Sequence, residues 1–218
     1  FTAYLGGNIG TPFLSFVDDL AEKDMVVLEL SSFQLENNHF FAPHISVILN
    51  IAPDHQDRYD NSMEKYIQAK CEIFSHQGAQ DLAVLNADDQ YLSQVKEKVR
   101  SPIKTFSLED SQANAHIQDN EIIFENRAVL GLGDILLVGK HNLAKILASV
   151  IVVKSMGLEN RLIREGVAGF QGLPHRMEVV ASHKGVDFIN DSKATTDHAT
   201  EKALVGLERP VILMMGGL

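Results

Sequence analysis

Two short polar segments follow apolar runs of the sequence. Glu29 stands near the end of the run MVVLEL, and the segment DHQDR at residues 54–58 follows the run HISVILNIA. In open α/β sheets ligands bind at the carboxyl ends of strands, and a carboxylate there suits Mg²⁺, which prefers oxygen ligands. Glu29 is therefore a candidate metal ligand, and His55 is a candidate metal ligand or general base. The alternatives are a solvated acid at a strand end and an ordinary loop histidine.

Lys70 lies in a segment, residues 62–75, whose apolar residues recur at the spacing of one helical face. Ser62 is a suitable N-cap for this helix. A helical lysine is usually a solvated surface residue. The apolar neighbours favour some burial, which would lower the pKa of the lysine and make a neutral, reactive amine more available. These neighbours are Tyr66, Ile67, Ile73 and Phe74.

The last fifth of the chain contains LPHR at residues 173–176 and NDSKAT at residues 190–195. Arginine and lysine side chains there can bind phosphate, and Asp191 can hold a ribose hydroxyl or orient a cation. The alternative is a turn-rich hairpin with ordinary surface charges. Near the start, GGNIG at residues 6–10 resembles a glycine-rich phosphate loop, but the chain has no Gly-Lys-Ser/Thr ending anywhere.

The elements that must position these residues alternate between strands and helices. Apolar runs at residues 25–30, 44–52 and 82–87 predict strands covered on both faces, and residues 62–75 predict a helix between the last two. This alternation indicates a mostly parallel α/β sheet. We expect Glu29 and His55 to follow adjacent strands of that sheet and to converge with Lys70 on one site.

The second half of the chain has a different pattern. Residues 116–138 predict a small antiparallel excursion, with IIFENRAVL and DILLV as β-type runs. Helices are predicted over residues 141–156, ended by Gly157, and over residues 160–168. The breakers in FQGLP, residues 170–174, indicate a domain boundary. A hairpin, a helix near residues 195–206 and a strand VILMM are predicted beyond it.

Composition limits the class of protein. The 218 residues carry a net charge of −10, which argues against binding to nucleic acid or to an anionic membrane. The single cysteine, Cys71, excludes an internal disulfide and fits a cytoplasmic location. No apolar stretch approaches the ~20 residues of a membrane span, and no signal peptide opens the chain. The lack of an initial methionine and the end in VILMMGGL suggest a piece of a longer protein.

Eight motifs, taken in order, resemble the motif series of the Mur ligases and extend over essentially the whole chain. They are GNIG, ELSSFQL, NIAPDHQDRY, YIQAK, NADD, GKHN, GLPHRMEVV and INDSKAT. ELSSFQL and the LPHR–NDSKAT pair are most similar to the family member that adds D-glutamate. The resemblance implies a P-loop ligase-like central domain over residues 1–172, with its Walker loop upstream of Phe1. Residues 173–218 would then begin a Rossmann-like C-terminal ligase domain.

The resemblance also implies a reaction, part of peptidoglycan synthesis. ATP would phosphorylate the carboxylate of UDP-N-acetylmuramoyl-L-alanine, and the amine of D-glutamate would attack the acyl phosphate. Several oxyanions meet in this reaction, so cations must neutralise and align them. The family uses two Mg²⁺ ions and a carbamylated lysine, which here corresponds to Lys70. The sequence leaves the oligomeric state open, with a monomer favoured, and the net charge argues against a nucleic-acid or membrane partner.

The family roles fall on individual residues of this sequence. Glu29, His55 and Lys70 resemble the metal-site residues, with His55, Lys70 and Lys193 as the catalytic set. Asn142 resembles the adenine contact, and Arg176 and Asp191 resemble contacts to phosphate and ribose. Asn8 resembles a residue near the uridine-nucleotide substrate, and Lys193 and Thr195 resemble residues near D-glutamate.

This sequence departs from the family pattern at two positions, and other readings stay open. Lys145 stands where a second asparagine is usual after Asn142, and Thr196 stands where an asparagine usually follows Lys-Ala-Thr. A dinuclear-metal hydrolase with a carbamylated lysine is one alternative, but none of the nine histidines forms a His-x-His pair. A related ligase that adds another amino acid, a folylpolyglutamate-type ligase or a fragment without catalytic activity are the others.

Overall fold

The structure is a computed structural model that describes residues 2–137, 139–195, 197–205, 207 and 209–216. Its strands are β1 Ala3–Gly7, β2 Met25–Glu29, β3 Ile45–Ile48, β4 Leu82–Asn86, β5 Ile103–Phe106, β6 Ala115–Gln118, β7 Glu121–Phe124, β8 Arg127–Gly131, β9 Glu178–His183 and β10 Val186–Asn190. Its α-helices are α1 Ser32–Leu35, α2 Met63–Cys71, α3 Gln90–Val95, α4 Lys140–Ser155, α5 Asn160–Ala168 and α6 Asp197–Val205. Short 3-10 helices include Gln56–Tyr59 and Leu132–Asp134.

The main sheet has six strands in the order β3-β4-β5-β6-β7-β8. Strand β5 pairs with β6 in parallel, whereas β6, β7 and β8 form an antiparallel meander. Backbone bonds from Ala83 to Pro102 and from Ala87 to Phe106 advance along β4 and the β5 segment in the same direction, as parallel strands require. The predicted α/β class, with a mostly parallel sheet and an antiparallel excursion, is confirmed.

Apolar burial explains why these segments form their elements. In β4, Ala83, Val84 and Leu85 are completely buried, as the continuous apolar run predicts. Helix α4 packs against β5 and β6. The middle of that helix supplies much of the core, with Leu147 and Ile151 fully buried. Ser62 caps α2 by accepting a hydrogen bond from the Lys65 amide at 3.4 Å, as the sequence predicts.

Two predicted strands are wrong in the described residues. In DILLV, Asp134 ends a 3-10 helix and the Ile135 amide bonds back to the Leu132 carbonyl, so the chain turns instead of extending the meander. Val138 lies outside the described residues. Residues 211–215 form no strand, because none of the described segments pairs with their backbone. The run at residues 44–52 forms a strand only over Ile45–Ile48.

Strands β1 and β2 form a separate parallel pair, in register from Ala3 opposite Met25 to Gly7 opposite Glu29. The expectation that Glu29 and His55 follow adjacent strands of one sheet is therefore wrong. Strand β2 has β1 as its neighbour, while β3 is the edge of the six-stranded sheet. The partner of a strand depends on segments distant in the sequence, so the local sequence of β2 does not reveal its pairing with β1.

The described chain divides into two compact units. The first comprises residues 2–46, 51–83 and 94–102, and the second comprises residues 47–50, 84–93 and 103–216. Glu29, His55 and Lys70 belong to the first unit, whereas Asn142, Arg176 and Asp191 belong to the second. The predicted domain boundary between residues 172 and 173 lies inside the second unit and stays a prediction. In the part of the chain that the structure describes, every helix is too short or too polar to cross a bilayer.

Candidate functional site

The parallel pair β1–β2 brings Asn8 and Glu29 to the same end of one small sheet. The Asn8 amide donates a hydrogen bond to the Glu29 carbonyl at 2.7 Å, and both residues are exposed. Gly7 has a φ of +104°, and a Cβ on it would lie 2.2 Å from the Glu29 carbonyl oxygen. The second glycine of GGNIG is therefore required by backbone packing. This requirement accounts for the glycine without a bound phosphate.

The loop after β2 leads into the short helix α1 through a capping box. The Ser31 hydroxyl accepts from the Gln34 amide at 3.3 Å, and the Gln34 side-chain oxygen accepts from the Ser31 amide at 2.9 Å. These reciprocal bonds satisfy two amides that helix formation leaves without partners. The serine and glutamine of SSFQL thus have a structural role, and they hold Phe33 in a fixed position on α1.

His55 lies after β3 at a point where the backbone reverses. Its φ of 49° and ψ of 34° are in the left-handed region, which is uncommon for a residue other than glycine. Asp54 accepts a hydrogen bond from the His55 amide at 2.9 Å, and its other oxygen lies 3.5 Å from Nε2 of the imidazole. The Phe33 ring contacts the imidazole edge-on at a centroid distance of 4.9 Å. About half of the imidazole surface is exposed.

Lys70 joins this group through Asp54. Its ammonium lies 5.0 Å from the centre of the Tyr66 ring. Burial lowers the pKa of Lys70, and the charge of Asp54 partly opposes this change. Burial likewise raises the pKa of Tyr66 to about 12, with a further contribution from Asp54. The expected partial burial of Lys70 is thus confirmed, and Asp54, which contacts His55, also acts electrostatically on the lysine.

Asp54 is a candidate site residue that the sequence did not single out. The available signal was its place as the first residue of DHQDR, a carboxylate directly after an apolar run.

The donor chemistry of this region fits a divalent metal ion. Glu29 and Asp54 offer carboxylate oxygens and His55 offers an imidazole nitrogen, and hard cations prefer the oxygens. Among the described residues, however, no three histidine, cysteine, aspartate or glutamate side chains come together as a ready metal cluster. Asp54 lies beside His55 and acts electrostatically on Lys70, while the convergence of His55 and Lys70 on one metal site stays a prediction. The convergence of Glu29 on them stays a prediction.

A second group of charged residues lies in the second unit. The Lys145 ammonium donates to the Asn142 side-chain oxygen at 3.3 Å. Desolvation lowers the pKa of Lys145, as does repulsion from Arg176, whereas Asp191 opposes the change. Desolvation also lowers the pKa of His141, with Lys145 adding to the effect and Asp191 opposing it. Three of the predicted nucleotide-site residues, Asn142, Arg176 and Asp191, thus belong to one electrostatic group.

The turn before β9 and the segment after β10 position the charged side chains of this group. Asp191 accepts a hydrogen bond from the Met177 amide at 3.0 Å. The Lys193 backbone amide donates to the His175 carbonyl at 3.2 Å. The side-chain nitrogen of Asn190 lies 2.8 Å from Nδ1 of His175. LPHR and NDSKAT therefore lie side by side, as parts of one hairpin base. Lys193 and Thr195 are exposed there, and Thr196 lies outside the described residues.

A cleft of about 360 Å³ lies elsewhere in the second unit, between the β7–β8 turn and the end of α4. None of the predicted site residues lines it. Lys154, one of its cations, already donates to the Leu158 carbonyl and to the Asn160 side chain. These bonds fix the last turn of α4, so the lysine has a structural role.

Comparisons with known proteins place this arrangement in a class. A parallel α/β sheet with polar groups after its strands is typical of enzymes that bind nucleotides or phosphorylated substrates. Solved Mur ligases share the fold. One is MurF from Acinetobacter baumannii, with a TM-score of 0.70 and 16% identity, which covers 95% of this chain and 54% of that one. Another is MurF from Thermotoga maritima in complex with ADP, with a TM-score of 0.68 and 18% identity. That match covers 94% of this chain and 58% of the MurF chain.

Sequence comparison then identifies the family. Residues 5–153 match the Mur ligase middle domain, so the chain belongs to the Mur ligase family. A relative named UDP-N-acetylmuramoylalanine--D-glutamate ligase, from Bacillus subtilis, is 40% identical over 99% of this chain and 48% of its own length. A relative of the same name from Geobacillus is 43% identical, over 98% of this chain and 48% of its own length. The chain thus spans about half the length of the curated relatives that it matches.

Proposed function

We propose that this chain is part of an ATP-dependent ligase that adds D-glutamate to UDP-N-acetylmuramoyl-L-alanine. The observation that carries the proposal is the match, along nearly all of this chain, to relatives named for that activity at 40% and 43% identity. Solved structures under 25% identical support the fold only. The choice of D-glutamate therefore depends on the sequence relatives.

The group around Asn142 is the proposed nucleotide site. Its cations, Lys145 and Arg176, would neutralise phosphate oxygens, and Asp191 would accept from a ribose hydroxyl. Asn142, whose side-chain oxygen accepts from Lys145, would contact the base. Lys145 therefore supplies a charge where the family pattern has a second asparagine. The ADP bound to the Thermotoga MurF agrees with a nucleotide in this family.

The group around Asp54 is the proposed metal site. Glu29, His55 and a carbamate on Lys70 would hold Mg²⁺, which neutralises phosphate oxygens when it is bound. The neutral amine of Lys70 would attack carbon dioxide to form a carbon–nitrogen bond, and one proton would leave to solvent. The lowered pKa of Lys70 favours this reaction because it increases the neutral fraction of the amine. The product carries oxygen donors in place of a cation.

The proposed reaction has two steps. A carboxylate oxygen of UDP-N-acetylmuramoyl-L-alanine attacks the γ-phosphorus of ATP, and ADP leaves. The amine of D-glutamate then attacks the acyl carbon of this phosphate and loses a proton, and inorganic phosphate leaves. We assign Asn8 to the uridine-nucleotide substrate and Lys193 and Thr195 to the D-glutamate end. We place the enzyme in the cytoplasm as a monomer, with the free thiol of Cys71 in agreement with a reducing compartment.

The test is phosphate release by the full-length enzyme with ATP, Mg²⁺ and UDP-N-acetylmuramoyl-L-alanine. We expect release that requires D-glutamate and that L-glutamate, L-lysine and diaminopimelate do not support. Lys193→Met should raise the KM for D-glutamate. The control variant Lys184→Asn, which changes an exposed lysine at the tip of the same hairpin, should not. Equal release with another amino acid, or release that needs no amino acid, would overturn the proposal.

A further inference from the structure

Glu36, directly after α1, binds the segment that follows His55. Its carboxylate accepts from the Arg58 guanidinium at 3.0 Å (Nε) and 2.7 Å (Nη2), and from the Tyr59 hydroxyl at 2.7 Å. The two guanidinium bonds use both carboxylate oxygens, which is the most specific geometry for such a pair. These bonds lower the pKa of Glu36 to about 2. The carboxylate therefore stays charged throughout the neutral range.

Phe33 lies between this ion pair and His55. The Arg58 guanidinium carbon lies 4.7 Å from the centre of the Phe33 ring, within the range of a cation–π contact. The Tyr59 ring is nearly parallel to the Phe33 ring at 6.3 Å. The remaining edge of Phe33 meets the imidazole of His55 at 4.9 Å and an interplanar angle of 62°. A continuous series of contacts thus runs from Glu36 to His55.

His55 has few other contacts to fix its ring. In the described part of the chain its side chain meets Asp54 and Phe33, and about half of it is exposed. The His55 backbone is in the left-handed region, a strained conformation that a residue other than glycine keeps only when its surroundings hold it there. Removal of the Phe33 contact would leave Asp54 as the group that orients the imidazole.

We propose that Glu36, Arg58 and Phe33 are positioning residues, a clamp that holds the loop after β2 against the loop after β3 and orients the His55 imidazole. The consequence of the clamp for metal binding rests on the proposed function, in which His55 is a metal ligand. The orientation of the ring is a separate, directly measurable property. The clamp acts through Phe33 and does not itself reach substrate or metal.

Global stability is a poor explanation for the clamp. Exposed ion pairs contribute little to the free energy of unfolding, and half of the Arg58 side chain is exposed. The pair joins a four-residue helix to a single 3-10 turn, elements too short to be stable alone. Its main effect must therefore be on the local geometry of the loops that follow β2 and β3, the second of which carries His55.

The test uses the full-length enzyme and three variants. Arg58→Met keeps the apolar stem but removes the guanidinium, Arg58→Lys keeps the charge without the bidentate geometry, and Phe33→Leu removes the ring. The matched control is Lys65→Met, which removes an exposed ion pair with Asp60 from the neighbouring helix. The imidazole signals of His55, assigned by their loss in His55→Gln, are followed by NMR. The Mg²⁺ concentration for half-maximal phosphate release is measured in parallel.

We expect Arg58→Met and Phe33→Leu to shift the ring signals of His55 and to raise the Mg²⁺ requirement by about 10- to 100-fold, the usual effect of losing a group that orients a metal ligand. Arg58→Lys should give smaller changes in both the ring signals and the Mg²⁺ requirement. Lys65→Met should change neither. Unchanged ring signals in both Arg58→Met and Phe33→Leu overturn the clamp, whatever the activity. If the unmodified enzyme releases no phosphate in response to D-glutamate, the proposed function fails, while the NMR result still decides on the clamp.

Discussion

Gln77 is the centre of a buried polar network in the first unit. Its side-chain oxygen accepts from the hydroxyls of Ser46 at 2.9 Å and Ser101 at 3.1 Å, and its nitrogen donates to the carbonyls of Pro43 at 2.8 Å and Leu82 at 3.1 Å. Gln77 is 3% exposed, and Ser46 and Ser101 are 1% and 4% exposed. The network therefore ties the starts of β3 and β4 together, and Gln77→Leu should destabilise this unit.

The size of the effect follows from the groups left behind. Each buried polar group that loses its partner costs about 1–3 kcal/mol. Gln77→Leu removes the acceptor of two buried hydroxyls, although Ser46 can turn toward the Leu82 carbonyl at 3.5 Å. Burial of the added leucine surface offsets part of the loss, so we expect a destabilisation of about 2–3 kcal/mol. At about 1.4 kcal/mol for each tenfold change, the local opening equilibrium rises roughly 30- to 150-fold.

Hydrogen exchange of the Leu82 amide measures this change, because that amide is bonded to the His44 carbonyl within the same unit. The control is the triple variant Gln77→Leu, Ser46→Ala and Ser101→Ala, in which the two hydroxyls are absent. The triple variant should recover about half of the stability that Gln77→Leu loses, because the carbonyls of Pro43 and Leu82 still lack the amide donor. A single variant that exchanges like the wild type, or a triple variant that exchanges as fast as the single one, would refute the reasoning.

Three further predictions concern the candidate sites. Lys70→Ala should abolish most phosphate release by the full-length enzyme, and acetate or bicarbonate should partly restore it; unchanged turnover would show a plain structural lysine. Lys145→Asn should raise the pKa of His141, since Lys145 lowers it, and an NMR titration with no upward shift would contradict this. Glu36 has a folded pKa of about 2 against an ordinary 4.5, so its stabilisation is present above pH 4.5 and is lost toward pH 2. The difference in melting temperature between the wild type and Glu36→Gln, small because exposed ion pairs contribute little to stability, should therefore shrink between pH 6 and pH 2, and a constant difference would count against the ion pair.

Local signals in the sequence predict several elements of the fold correctly. The helix α5 has the predicted bounds, and the hairpin β9–β10 follows from the turn at His183-Lys-Gly185. Gly157, predicted to end α4, has a φ of +83° directly after the helix. These features depend on residues within a few positions of each other. Their physical causes are therefore visible in the sequence.

Features that depend on distant segments were not predicted. The strand β5 lacks a strong pattern of its own, and its pairing with β4 and β6 determines it. The pairing of β2 with β1 likewise depends on the tight approach of Gly7 to Glu29. The same holds for the candidate site, where the electrostatic interaction of Asp54 with Lys70 is a property of the folded chain. Side-chain burial and cross-strand pairing decide these cases, and a single sequence does not display either.

The order of the main sheet has a consequence for how the chain is made. Every strand from β4 to β8 lies beside the strand that precedes it in the sequence. Among the described residues no gap separates these strands, so each strand from β4 to β8 finds its partner already present when it leaves the ribosome. Chains whose contacts are close in sequence fold quickly, because little loop entropy is lost before contacts form. We expect this sheet to assemble during synthesis in the order of translation, with β3 as the first template and the meander β6–β8 as the last addition.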